Sequence, residues 1–83
     1  MAVKNFKVTN RFERALGKAD KNLFEQASKN IEKLKDNPEI GKPMRYDRKG
    51  TREVYVGHFR LSYVYDKLSD TLFLLDLYHK DEQ

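Results

Sequence analysis

Cysteine is absent from the 83 residues, which removes disulfides and thiolate metal sites and fits a reducing compartment. No apolar run approaches the length of a membrane span. The N-terminus, Met-Ala-Val-Lys-Asn-Phe-Lys, has nothing like the core of a signal peptide, so the cytoplasm is the expected location. Proline occurs twice and glycine four times, in no cluster that would make a linker, and neither a repeat nor a low-complexity tract is present. Acidic residues are fewer than basic ones, 13 against 17. Asp66, Asp70, Asp81 and Glu82 do not converge on a two-metal pattern, so neither a metal nor another cofactor is expected.

What remains is one domain, residues 1–83, large enough to cover a small sheet with one layer of helix. Its charge is uneven. Up to Gly50 there are 13 Lys and Arg against 7 Asp and Glu, and from Thr51 onward 4 against 6. The excess is densest at Lys42, Arg45, Arg48, Lys49 and Arg52, opposed only by Asp47. Such a cluster suits a polyanionic partner; the competing explanation is an ordinary solvated lysine surface.

The segment from Thr51 to Lys80 organises the chain. β-Branched and aromatic residues alternate with polar ones on both sides of Gly57-His58, a two-residue hairpin loop in which Gly57 supplies a positive φ. Val56 then faces Phe59, Val54 faces Leu61 and Arg52 faces Tyr63, while Glu53, Tyr55, Arg60, Ser62 and Val64 share the other side. For the next hairpin a five-residue loop, Asp66 to Asp70, places Leu61 against Leu75, Phe59 against Leu77 and Asp76 opposite Arg60. A four-residue loop would turn Asp76 into the core. Asp76 is thus a candidate partner for the Arg60 side chain, or a group with a part in the chemistry.

Before this segment, Val3 to Val8 alternates as a short strand, and Thr9 or Asn10 can cap a helix over Arg11 to Leu16 that Gly17 ends. Asp20 caps a second helix, whose Leu23, Phe24, Ala27, Ile31 and Leu34 recur at helical spacing and which Asn37-Pro38 stops. Glu39 to Gly50 reads as an irregular loop. The expected fold is therefore α+β: two N-terminal helices packed on one face of a small four-stranded, mainly antiparallel sheet, with the first strand beside the last and the Arg60 face open.

This order of elements, together with Gly41-Lys42-Pro43, Gly57-His58-Phe59-Arg60-Leu61-Ser62-Tyr63 and the closing Tyr78-His79, resembles the RelE/ParE toxin family of type II toxin–antitoxin systems. The resemblance covers nearly the whole chain and is nearest to the RelE and YoeB branch. It implies a metal-independent endoribonuclease that cuts mRNA on the ribosome and is neutralised by a small, often acidic antitoxin protein. It also implies phosphate contact for Arg60 and general acid–base catalysis for His79. The chain departs from the family pattern in having Met44 where the YoeB-like branch has glutamate, Glu53 and Tyr55 where the RelE branch is basic, and no tyrosine after the last strand.

Cutting RNA without metal needs a base for the 2′-OH, a cation for the phosphate and an acid for the departing 5′-oxygen. Arg60 suits the second task, His79 the third, and Glu53 is the nearest carboxylate for the first. Arg45, Arg48, Lys49, Arg52 and Lys80 would bind backbone phosphate, and Tyr55 would stack on a base. Each has a plainer explanation: His79 as the end of a strand, His58 as a solvated turn residue, Tyr55 as a sheet-stabilising aromatic. Other readings stay open, namely a ParE-like toxin that binds DNA gyrase, an inactive homologue, or a simple nucleic-acid-binding module.

Overall fold

The structure, a computed structural model, describes residues 2–43 and 50–82. Strand β1 (Asn5–Val8) leads into helix α1 (Asn10–Gly17) and helix α2 (Lys21–Asp36). Four more strands follow, β2 (Lys42–Pro43), β3 (Arg52–Val56), β4 (Phe59–Asp66) and β5 (Thr71–His79), and a single 3₁₀ turn over Lys80–Glu82. They form one five-stranded sheet in the order β1-β5-β4-β3-β2. All neighbours are antiparallel except β1, which runs parallel to β5.

The sheet thus has five strands where four were expected. The extra one is β2, in which Lys42 pairs with Glu53 and Pro43 with Arg52. A two-residue strand carries no alternation to read, and its proline is tolerated because the strand is an edge. Side chains hold it in place. The Arg52 guanidinium donates to the carbonyls of Glu39 and Gly41 at 3.1 and 2.8 Å, and the buried Tyr63 hydroxyl accepts from the Gly41 N–H at 2.9 Å. The approach is close enough that a Cβ on Gly41 would stand 2.5 Å from the Tyr63 oxygen and 2.9 Å from the Glu53 carbonyl.

Thr9 caps α1 by accepting from the Phe12 N–H, and Asp20 caps α2 by accepting from the Leu23 N–H, each satisfying a donor the helix cannot satisfy itself. Phe12, Ala27 and Leu34 reach down from the helices onto Val56, Leu61, Tyr63, Leu72, Leu74 and Leu77. Burying a side chain the size of Leu61 stabilises the fold by about 1.5 to 3 kcal/mol. Phe24, expected in this core, is instead half exposed.

The β3–β4 pairing is the expected one throughout, from Arg52 with Tyr63 to Val56 with Phe59, and Gly57 has φ +61°. The β4–β5 pairing differs from expectation. Asp66 pairs with Thr71, leaving a four-residue loop, and Asp76 pairs with Ser62, not with Arg60. Leu61 meets Leu77, and Phe59 meets His79. A bulge between Ser62 and Tyr63 reconciles the short loop with the pattern of the strand. Leu75 has no partner there, so the side-chain parity of β5 reverses once. Leu72 and Leu74 face the helices before the bulge, Leu77 faces them after it, and Asp76 stays out of the core.

Candidate functional site

β3 and β4 bring Glu53, Tyr55, Arg60 and Ser62 onto the sheet face away from the helices. β5 adds Asp76 opposite Ser62 and Tyr78 opposite Arg60. Tyr55 is 53 % exposed, and the Arg60 guanidinium lies over its ring with its carbon 3.8 Å from the centroid. The Lys42 ammonium approaches the same ring at 5.3 Å. Cations placed over a phenol ring gain from its quadrupole, so Tyr55 gathers two positive charges on one open face. Arg60 also donates to the Phe59 carbonyl at 3.3 Å.

Asp76 is not the partner of Arg60. It caps the Leu77 N–H at 2.8 Å and lies 3.9 Å from the Arg11 guanidinium of α1. Glu53 accepts a 3.1 Å hydrogen bond from the Tyr78 hydroxyl, which reaches across β4 to make it. A carboxylate, a phenol and a guanidinium therefore meet on this face, held by three adjacent strands.

His79 lies elsewhere. It pairs with Phe59 and packs edge-on against that ring at 5.2 Å, on the side opposite to Arg60 and Tyr78, with the His58 ring 6.4 Å away. Its Nδ1 accepts from the Asp81 N–H at 3.2 Å, so the neutral ring carries its proton on Nε2. The Asp81 carboxylate is 3.5 Å from the same nitrogen.

Of the other expected RNA contacts, Tyr55 is on the open face, Lys80 is exposed just beyond β5, and Arg52 is engaged with the carbonyls of Glu39 and Gly41. Arg45, Arg48 and Lys49, with Met44, lie outside the described residues. Two residues of the site were not singled out from the sequence: Tyr78 was given no role of its own, and Lys42 only a place in the basic cluster. The pairing of Lys42 with Glu53 was hidden by the shortness of β2. The signal for Tyr78 was the parity of β5, which already set it on the Arg60 face; only its pairing with Arg60 itself needed the true register.

A cleft of about 1080 Å³ borders the site, with Arg11, Arg14 and Lys18 of α1 on one wall and Asp76, Leu77 and Tyr78 of β5 on the other. Beneath the loop before β2, burial raises the Tyr63 hydroxyl above its ordinary pKa, against the lowering effect of the Gly41 N–H and of Arg52. Among the described residues no three His, Asp or Glu side chains gather as a metal site, and no helix is long and apolar enough to cross a membrane.

Comparison with known proteins agrees with this architecture. Residues 4–83 match the family model described as the ParE toxin of the type II toxin-antitoxin system parDE. The RelBE2 toxin–antitoxin complex of Mycobacterium tuberculosis contains a chain of TM-score 0.84 and 24 % identity, with 96 % of this chain and 100 % of that one covered. A YoeB/ParE toxin from Agrobacterium tumefaciens has TM-score 0.81 and 16 % identity over 90 % of this chain and 96 % of its own. The archaeal RelE–RelB complex of Pyrococcus horikoshii OT3 matches with TM-score 0.75 and 16 % identity over the full length of both chains. No curated protein matches the chain.

Proposed function

The chain belongs to the ParE toxin family of type II toxin–antitoxin systems, and from that premise we propose that it poisons translation by cutting mRNA on the ribosome without a metal. The observation that carries this reading is the Arg60 guanidinium held over Tyr55, beside Lys42 and on the same face as Glu53. Fixed cations stabilise the crowded, more negative phosphate of a transphosphorylation better than mobile ones, because little is spent on reorganising them. Glu53 is the base on that face, and the exposed ring of Tyr55 is a surface on which a base can stack. Lys80, with Arg45, Arg48, Lys49 and Arg52, supplies backbone contacts that carry no sequence preference. The resemblance gives the acid role to His79, which stands at the end of β5 on the Phe59 side.

The partner is an antitoxin protein. An acidic segment of it would find Arg11, Arg14 and Lys18 lining the cleft beside Tyr78, where like-signed cations favour an anionic occupant.

A second reading, a toxin that binds DNA gyrase without cutting RNA, is favoured by the family model itself and by the separation of His79 from Arg60. One pair of assays distinguishes them. The purified protein is added to a reconstituted translation reaction whose mRNA ends are mapped by primer extension, and to a gyrase supercoiling reaction. Cuts within translated codons that disappear with Arg60→Ala are expected. Intact mRNA with supercoiling inhibited would reject the nuclease in favour of the gyrase poison.

A further inference from the structure

Resting on the nuclease reading above, we infer that Tyr78 is the general acid of this site and forms a proton-relaying pair with Glu53. Because Leu75 is the unpaired residue of β5, the strand beyond it is turned over, and the register sets Tyr78 opposite Arg60 while His79 goes opposite Phe59. The group that shares a face with the phosphate-binding cation is thus the phenol, and the imidazole is on the other side. The 3.1 Å hydrogen bond joins that phenol to the carboxylate best placed to act as base.

Such a pair can complete the proton balance of RNA cleavage by itself. Glu53 takes the proton of the 2′-OH as the 2′-oxygen forms its bond to phosphorus. The bond from phosphorus to the 5′-oxygen breaks, and the Tyr78 hydroxyl gives its proton to that oxygen. The products are a 2′,3′-cyclic phosphate and a 5′-hydroxyl. Glu53, now protonated, and Tyr78, now a phenolate, are already hydrogen-bonded, so one proton passed between them restores both groups. Arg60, opposite Tyr78 in the register, is placed to stabilise the crowded phosphate. A phenol is a weak acid at neutral pH, but a departing alkoxide is a far stronger base than phenolate, so transfer to it runs downhill. No metal, water or histidine is required for the cycle.

The test uses an mRNA programmed on ribosomes in two versions, one ordinary and one with sulfur in place of the bridging 5′-oxygen at the cut. A thiolate leaves without needing a proton. Tyr78→Phe keeps the ring and removes only the hydroxyl, and its thermal melting is measured beside the wild type to show that it is folded. On the ordinary RNA the variant should lose about 10² to 10⁴ in single-turnover rate at saturating toxin. On the sulfur RNA it should regain most of that loss, while Lys29→Ala, on the exposed side of α2, should match wild type on both. A folded Tyr78→Phe that cuts ordinary RNA at the wild-type rate would overturn the inference. So would an equal loss on both RNAs, which would make Tyr78 a positioning residue for Glu53. A wild-type protein that cuts neither RNA would instead reject the nuclease reading itself, and this inference with it.

Discussion

Gly41 shows how one residue without a side chain can set a site some distance away. The space a Cβ would need is taken by the Tyr63 ring and the Glu53 carbonyl, and the loop it closes presents Lys42 to Tyr55. Gly41→Ala should therefore destabilise the protein by about 1 to 3 kcal/mol through overpacking, read as a lower urea midpoint. Tyr63→Phe removes the nearest atom, the hydroxyl oxygen, and also the acceptor of the Gly41 N–H. The double variant should therefore cost less than the sum of the two single ones; strict additivity would mean that they do not share this contact. Tyr63 also makes a pH prediction. Its folded pKa is raised above the ordinary 10.0, chiefly by burial. A raised pKa means that the folded state keeps the proton longer, so the contribution is complete below about pH 10 and is lost as the pH rises through the folded value. In urea titrations the stability advantage of the wild type over Tyr63→Phe should shrink above about pH 10; a constant gap would reject this origin.

The sheet differs from element to element in how plainly its sequence can be read. β3 and β4 alternate on both sides of a glycine turn, and every pair between them was legible. The β4–β5 pair was not, because a loop one residue shorter and a bulge at Leu75 offset each other. Both arrangements keep Asp76 out of the core, so the hydrophobic pattern alone could not choose between them. The placement of Arg60, Glu53 and Tyr55 on one face followed from the first hairpin and was legible. The Arg60–Tyr55 contact followed from it too, whereas the Tyr78 partner of Glu53 and the β5 residue opposite Arg60 depended on the second hairpin and were not legible. That second turn also fastens β1. Asp70, in the left-handed region at φ +51°, accepts from the Tyr65 hydroxyl at 2.7 Å and from the Lys4 N–H at 3.0 Å. Its carbonyl accepts from the Asn5 N–H at 3.0 Å. Asp70→Ala should cost about 2 to 4 kcal/mol, through backbone strain and two lost acceptors. Asp70→Asn, which tolerates the same φ and keeps an oxygen, should cost less. Hydrogen exchange would show the loss first at the Asn5 and Thr9 amides, which donate to the Asp70 and Leu74 carbonyls, and unchanged protection there would mean that β1 is held by its helix neighbours alone.

Across the whole molecule the formal charge is +4, and the open face concentrates part of it around Tyr55. If the ligand is RNA, affinity should fall linearly on a logarithmic plot as salt rises, because each neutralised phosphate releases counterions. Arg60→Ala should lower that slope by about 1, whereas Lys29→Ala, on the exposed side of α2, should leave it unchanged. Equal slopes for all three proteins would remove Arg60 from the binding surface.

The sheet also has an order in time. β1 lies beside β5, and Thr9 is bonded to Leu75 across 66 positions of sequence. During synthesis the first strand therefore waits, unpaired, for the last of the five described strands to emerge. Tyr78 is on that late strand and Arg60 on its neighbour, so the face that bears both is assembled only once β5 has docked.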